Sequence, residues 1–236
     1  MNVLAFSSSR SGNGGFLEKA LPLIQSFLGE HSITIAFIPF ASVQKDYDEY
    51  GGMVLAALAA TLYKVEIVKP GNAKDVIERA GAIMVGGGNT FKLIHDIYAL
   101  GLLELIQQKV RAGTPYIGWS AGANISGKSI CTTNDMPIVQ PASFTAFGFL
   151  PFQINPHYIN IVQEGFNGET RDQRLEEFMR MNPDVTVFGL PEGTALLLRE
   201  GKLQYIGAEE GVLFLNKEGV VQKEYIKDNE YVSQLM

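Results

Sequence analysis

The chain has 236 residues, 46% of them hydrophobic and 19% charged, with a formal net charge of -6. A chain of this length hides roughly 70 to 75% of its surface on folding, so this balance describes one globular domain and excludes a disordered chain. No apolar run reaches the roughly 20 residues of a spanning helix, and no Lys/Arg cluster offers nucleic acid an electrostatic footprint, so neither membrane nor nucleic acid is an expected partner. The opening MNVLAFSSSRSGNG has no basic segment ahead of its apolar stretch and reads as a first strand, not a signal peptide. The lone Cys131 cannot form an internal disulfide. A cytoplasmic protein with a buried, inert thiol is expected.

Short β-branched runs then alternate with longer helical patterns. Val3 to Ser7, Ile33 to Phe37, Val65 to Val68 and Ile83 to Val85 read as strands. Phe16 to Leu28, Tyr47 to Tyr63 and Ala73 to Ala80 read as helices, and Phe91 to Arg111 as a helical region interrupted near Gly101. This alternation predicts an α/β, three-layer domain: a mostly parallel sheet with helices on both faces. Ile130 to Asn167 has little period, and an irregular stretch of that length inside a compact domain is often functional. Thr170 to Met181 predicts a helix and Val185 to Leu190 a strand, while apolar runs at 195–198, 203–206 and 212–215 predict C-terminal hairpins. With no internal repeat or linker, residues 1–236 are expected to form a single domain.

Gly118, Ser120 and Gly122 form a Gly-x-Ser-x-Gly pattern in YIGWSAGAN. By composition such a pattern arises in roughly one chain of this length in ten. It gains meaning here because a strand-like run precedes it and a small-residue helix start follows, the setting of a strained turn that lifts a serine hydroxyl above a sheet. A serine hydroxyl needs a base to take its proton. Of three histidines, His31 sits in a turn and His95 within a predicted helix, whereas His157 follows Pro156 in the irregular stretch and is the candidate base. Two carboxylates are placed to hold its tautomer: Asp135 in TTNDMPI, with turn capping as its alternative role, and Glu192 in GLPEG, after a predicted buried strand, with a solvated turn as its alternative. Gly86, Gly87 and Gly88 offer backbone N–H donors for an oxyanion. A dinucleotide loop of the Gly-x-Gly-x-x-Gly type would need glycine at position 91, where Phe91 stands. No His/Cys/Asp cluster has zinc spacing, so neither metal nor cofactor is expected.

IPFA (38–41), DEY (48–50), MVGGGNTF (84–91), YIGWSAGAN (116–124), TTNDMPIV (132–139), QINPH (153–157), GETRDQR (168–174) and GLPEG (189–193) occur in order. Together they resemble peptidase E, the aspartyl dipeptidase family of serine peptidases, over roughly residues 1 to 200. The resemblance implies a fold related to class I glutamine amidotransferases and hydrolysis of Asp-X dipeptides through an acyl-enzyme. It implies Ser120 as nucleophile, His157 as base, and Gly88 and Ala121 as oxyanion-hole donors. Carboxylates stand at both candidate positions, with Asp135 favoured as the acid and Glu192 close behind. Arg171, in GETRDQR, is the candidate clamp for the substrate carboxylate, against the alternative of pairing on a solvated helix face. Asn89 is the second candidate for substrate binding. Two other readings stay open: a related serine hydrolase acting on another acidic amide or an aspartate polymer, and a non-catalytic binding protein on the same scaffold.

Overall fold

The computed structural model describes residues 1–161, 165 and 167–235. Five short strands, β1 (Val3–Phe6), β2 (Thr34–Ile38), β3 (Lys64–Ile67), β4 (Ala82–Val85) and β5 (Tyr116–Trp119), pair in parallel in the order β3-β2-β4-β5-β1, all apolar but the edge strand β3, which alternates Lys64, Val65, Glu66 and Ile67. Successive side chains of a strand face opposite ways, and in β1, β2, β4 and β5 both faces are covered. Val3, Ala5, Ala36, Ile38, Ile83 and Val85 pack on one side with α3 (Ala73–Arg79), α4 (Thr90–Ala99) and α5 (Leu103–Arg111). Leu4, Phe6, Ile35, Phe37, Ala82, Met84, Ile117 and Trp119 pack on the other with α1 (Leu21–Leu28) and α2 (Tyr47–Ala57). This is the predicted three-layer arrangement. The near-continuous apolar character of β1, β2, β4 and β5 follows from burial on both faces.

The predicted helix from Phe16 begins only at Leu21, because Leu17 adopts a left-handed backbone (φ 55°) and Pro22 fits only a helix's first turn. The break near Gly101 is present, with that glycine at φ 63° between α4 and α5. On the β1 side, the hairpin β8 (Ala195–Arg199) and β9 (Lys202–Ile206) adds two antiparallel strands, completing a seven-stranded sheet.

A second sheet contains the predicted strand ending at Leu190 and the predicted hairpin from 212, and adds a strand that the sequence reading lacks. Its four strands run β11 (Val220–Ile226), β10 (Gly211–Lys217), β7 (Val187–Leu190), β6 (Gln153–Pro156). β6 lies inside the stretch read as irregular, of which 162–164 and 166 fall outside the described residues. Its sequence QINP hides it, since two of four residues are buried amides and the last is proline. Helix α7 (Arg171–Met181) covers this sheet through Leu175 and Met179, which pack on Val187, Val212 and Phe214. Cys131 is exposed, contrary to the expected buried thiol, because it lies in a turn beyond the one-turn helix α6 (Ala121–Asn124). Among the described residues no helix is long and apolar enough to cross a membrane.

Candidate active site

Ser120 stands between β5 and α6 with φ 53° and ψ -114°, a backbone state that costs a non-glycine residue about 1–3 kcal/mol and persists only when its surroundings impose it. Its neighbours impose it by close approach. A Cβ on Gly118 would run into the Gly122 carbonyl, and one on Gly122 into the carbonyl of Val85. Tyr116 Oη donates to Gly122 O (2.6 Å) and Ser120 N to Phe6 O (3.1 Å), fixing the bend against β4 and β1. The two glycines therefore let the turn fold back tightly enough to present the serine at the carboxyl end of the parallel sheet, where open α/β sheets build sites.

His157 and Glu192 arrive together from the second sheet. β6 and β7 pair in parallel with Pro156 opposite Leu190, so the chain leaves both strands at one end. His157 Nε2 lies 2.9 Å from Ser120 Oγ, and His157 Nδ1 lies 2.8 Å from Glu192 Oε1. A carboxylate only accepts, so the proton sits on Nδ1, and the free Nε2 accepts from the serine hydroxyl. The histidine too is left-handed (φ 52°). Its N–H donates to the buried Ser7 hydroxyl (2.9 Å), which in turn donates to Leu190 O (2.8 Å), joining the end of β1 to the ends of β6 and β7.

Asp135, favoured as the acid from sequence, is placed elsewhere. Its Oδ2 accepts from Thr90 N (2.7 Å), Thr90 Oγ1 (2.6 Å) and Thr133 Oγ1 (3.1 Å). The carboxylate thus closes the first turn of α4, where negative charge is favoured by the unpaired N–H groups. Glu192, not Asp135, contacts the imidazole.

The glycine loop passes beside the serine: a Cβ on Gly87 would lie 2.9 Å from Ser120 Cβ. Gly88 has φ 140°, and a side chain there would collide with the Ala41 carbonyl. Tyr50 Oη donates to Gly87 O (3.0 Å) and accepts from Trp119 Nε1 (3.0 Å). In a trans peptide the C=O and the following N–H point opposite ways, so holding Gly87 O on Tyr50 turns the Gly88 N–H away from it. Burial raises the Tyr50 phenol to about 12, despite its bonds to Trp119 and Gly87, so it stays a neutral donor. Among the described residues, neither Gly88 N–H nor Ala121 N–H has an acceptor. Sequence reasoning gave no role to Tyr50, although DEY (48–50) is among the resembling motifs, and it missed Ser7, whose local pattern does not distinguish it from other turn serines.

These groups open onto a cavity of about 530 Å³, lined also by Arg10, Lys45, Asn89 and Phe16. The Asn89 side chain caps α4, accepting from Lys92 N (3.0 Å) and donating to Met136 O (2.8 Å). Arg171 is not in that lining. It lies half-buried at the start of α7 and donates from Nη1 to Asn155 Oδ1 (3.2 Å), two residues before His157. Burial, with the neighbouring charge of Arg174, lowers its pKa. His95 pairs with Asp96 on α4 and His31 is exposed in its turn, so neither reaches the serine. Among the described residues no group of three or more His, Cys, Asp or Glu is placed to hold a metal ion.

A strained serine at a strand-to-helix turn, in line with a histidine and a carboxylate, defines the class of serine hydrolases. The model of peptidase family S51 matches residues 3–206, and the chain belongs to that family: it is a serine dipeptidase. It is 47% identical over 208 residues to a Peptidase E of Haemophilus influenzae (strain ATCC 51907 / DSM 11121 / KW20 / Rd), covering 87% of this chain and 95% of that one. To a Peptidase E of Shewanella amazonensis it is 45% identical over 239 residues, with complete coverage of both. A peptidase structure from an acI-B1 Actinobacterium superposes with a TM-score of 0.67 at 18% identity, covering 98% of this chain and 96% of that one, and shares the fold.

Proposed function

We propose that this peptidase is an α-aspartyl dipeptidase that releases N-terminal L-aspartate from Asp-X dipeptides through an acyl-enzyme on Ser120. The observation that carries this reading is the unbroken line from Ser120 Oγ through the His157 imidazole to Glu192 Oε1, at 2.9 and 2.8 Å. Ser120 Oγ attacks the scissile carbonyl carbon as its proton passes to His157 Nε2. The oxygen's negative charge is received by the N–H groups of Gly88 and Ala121, and Glu192 stabilises the imidazolium. The imidazolium then protonates the leaving amine as the C–N bond breaks. Water, deprotonated by the same nitrogen, attacks the ester, and aspartate leaves as Ser120 regains its proton.

Glu192 takes the acid's role in this mechanism and Asp135 that of a fastening for α4, beside the glycine loop. Asn89 contributes from the cavity wall, where its amide carries a second N–H beyond the one held by Met136. Arg171 is the candidate for the substrate β-carboxylate, supported by its half-buried guanidinium and by the family resemblance. A second reading gives that role to Arg10, because Arg10 lines the cavity and Arg171 does not. A single free thiol, exposed at Cys131, suits a reducing cytoplasm.

A hydrolysis panel of Asp-Leu, Asn-Leu, Ala-Leu and a longer Asp-initiated peptide tests the proposal, together with labelling of Ser120 by a serine-reactive phosphonate. Rapid cleavage of Asp-Leu alone is expected. Preference for the longer peptide or for an aspartate polymer would transfer the chain to another acidic-amide hydrolase, and an unlabelled Ser120 would make it a binding protein.

A further inference from the structure

His157 holds a left-handed backbone without being glycine, so residues on either side must hold it there. Before it, Asn155 is buried, donates from Nδ2 to Thr132 O and Asn134 Oδ1 (2.7 Å each), and receives Arg171 Nη1. After it, Tyr158 Oη donates to Asp172 Oδ1 (2.5 Å) and Asn160 Nδ2 to Asp172 Oδ2 (2.8 Å), while Asp172 N donates back to Asn160 Oδ1 (3.4 Å). Adjacent residues of α7 thus grip the chain on both sides of the base. The helix start that carries them is itself fastened by a reciprocal capping box between Thr170 and Gln173.

Asp172 is only 6% exposed, and a carboxylate so buried needs a compensating charge. It comes from the C-terminal sheet, beyond the residues that the family model matches: Lys223 on β11 donates from Nζ to Asp172 Oδ2 (2.6 Å). The hydrogen bond to Asp172 raises the Lys223 pKa, and burial and then Asp172 raise that of Tyr158, so the lysine stays charged and the phenol stays a donor. We propose that Asp172, with Lys223 as its counter-ion, is a positioning residue that holds His157 in line with Ser120 by gripping Tyr158 and Asn160. This rests on the reading of His157 as the base.

The test compares Asp172→Asn, Lys223→Met and Lys223→Arg with the wild type in three measurements: kcat and KM on Asp-Leu, the rate of Ser120 labelling by a serine-reactive phosphonate, and thermal unfolding. An asparagine at 172 presents an N–H₂ to donors and loosens the grip. Misplacement of a base by an ångström slows reaction by about a hundredfold, so Asp172→Asn should lower kcat and labelling about tenfold to a hundredfold with KM within about threefold. Lys223→Met should fall in the same direction and Lys223→Arg should recover most of the rate. Unaltered kcat and labelling in Asp172→Asn and Lys223→Met, with only the unfolding temperature lowered, would overturn the proposal. So would a rise in KM alone, or an arginine variant as slow as the methionine one. If Asp172→Asn does not fold, the two Lys223 variants decide. A wild type that is labelled but leaves Asp-Leu intact removes the dipeptidase reading, and the labelling rates still decide this one. A wild type that takes no label overturns both.

Discussion

The backbone N–H of His157 donates to the side-chain oxygen of Ser7, 2.9 Å away and 150 residues earlier in the chain. Ser7 in turn donates its own hydrogen bond to Leu190 O, so one buried hydroxyl serves as acceptor for the His157 backbone and donor to the strand that leads to Glu192. Ser7→Ala leaves the His157 N–H without its acceptor, whereas Leu190 O keeps the Tyr158 N–H (3.0 Å) as a donor, and one unpaired backbone group costs about 1–3 kcal/mol. The variant is expected to melt several degrees lower and to lose more in kcat than in KM. Wild-type kinetics in a destabilised Ser7→Ala would leave the hydroxyl a purely structural role.

Ser120→Ala removes the attacking atom while leaving the elbow's backbone intact. Turnover of Asp-Leu should fall on the order of ten-thousandfold or more, with thermal unfolding close to wild type. Activity within tenfold of wild type would rule the serine out as nucleophile.

Glu192 and Asp135 separate by the kind of loss each causes. Glu192→Gln keeps the shape of the turn but weakens the stabilisation of the imidazolium, so kcat should drop by about a hundredfold or more with little change in stability. Asp135→Asn withdraws negative charge from the α4 start, where Thr90 N and Oγ1 both donate to it, and should lower the unfolding temperature more than Glu192→Gln does. The reverse pattern would restore Asp135 as the acid.

Arg171 and Arg10 make opposite predictions about selectivity. If Arg171 binds the β-carboxylate, Arg171→Ala collapses the preference for Asp-Leu over Asn-Leu by about tenfold to a hundredfold, as expected for a lost charged hydrogen bond of roughly 1.5–3 kcal/mol. Arg10→Ala would then leave the ratio near wild type. Selectivity lost with Arg10→Ala and retained with Arg171→Ala would assign the carboxylate to the cavity-lining arginine and leave Arg171 as a fastening of Asn155.

Phe40, next to the cavity-lining Ala41, carries a pH-dependent tie. Lys92 Nζ donates to Phe40 O (2.9 Å), Tyr47 Oη (3.0 Å) and Asp96 Oδ2 (2.7 Å). Burial by itself raises the Asp96 carboxyl and lowers the Lys92 ammonium, but the hydrogen bonds outweigh it, leaving Asp96 below its ordinary 3.8 and Lys92 above its ordinary 10.5. A depressed carboxyl stabilises the fold above its unfolded value and loses that contribution as pH falls through the folded one. The unfolding-temperature gap between wild type and Asp96→Asn should therefore be widest near neutrality and close in strong acid. A gap independent of pH would show that the pair contributes by shape alone.

β1, β2 and β4 declare themselves plainly, because strands buried on both faces must be apolar throughout, and the helices between them carry one apolar stripe. Gly118, Ser120 and Gly122 were equally legible, since a strained turn of that tightness excludes side chains at the flanking positions. β6 was not, because its Gln153 and Asn155 are buried by hydrogen bonding and not by hydrophobicity. The amino-acid sequence by itself determined the parallel α/β core, the serine elbow and which histidine could serve it. Only the tertiary structure decided which carboxylate stands behind that histidine. Both Asp135 and Glu192 lie far from His157 along the chain, and the parallel register of Pro156 with Leu190 across the second sheet brings Glu192, and not Asp135, to the imidazole.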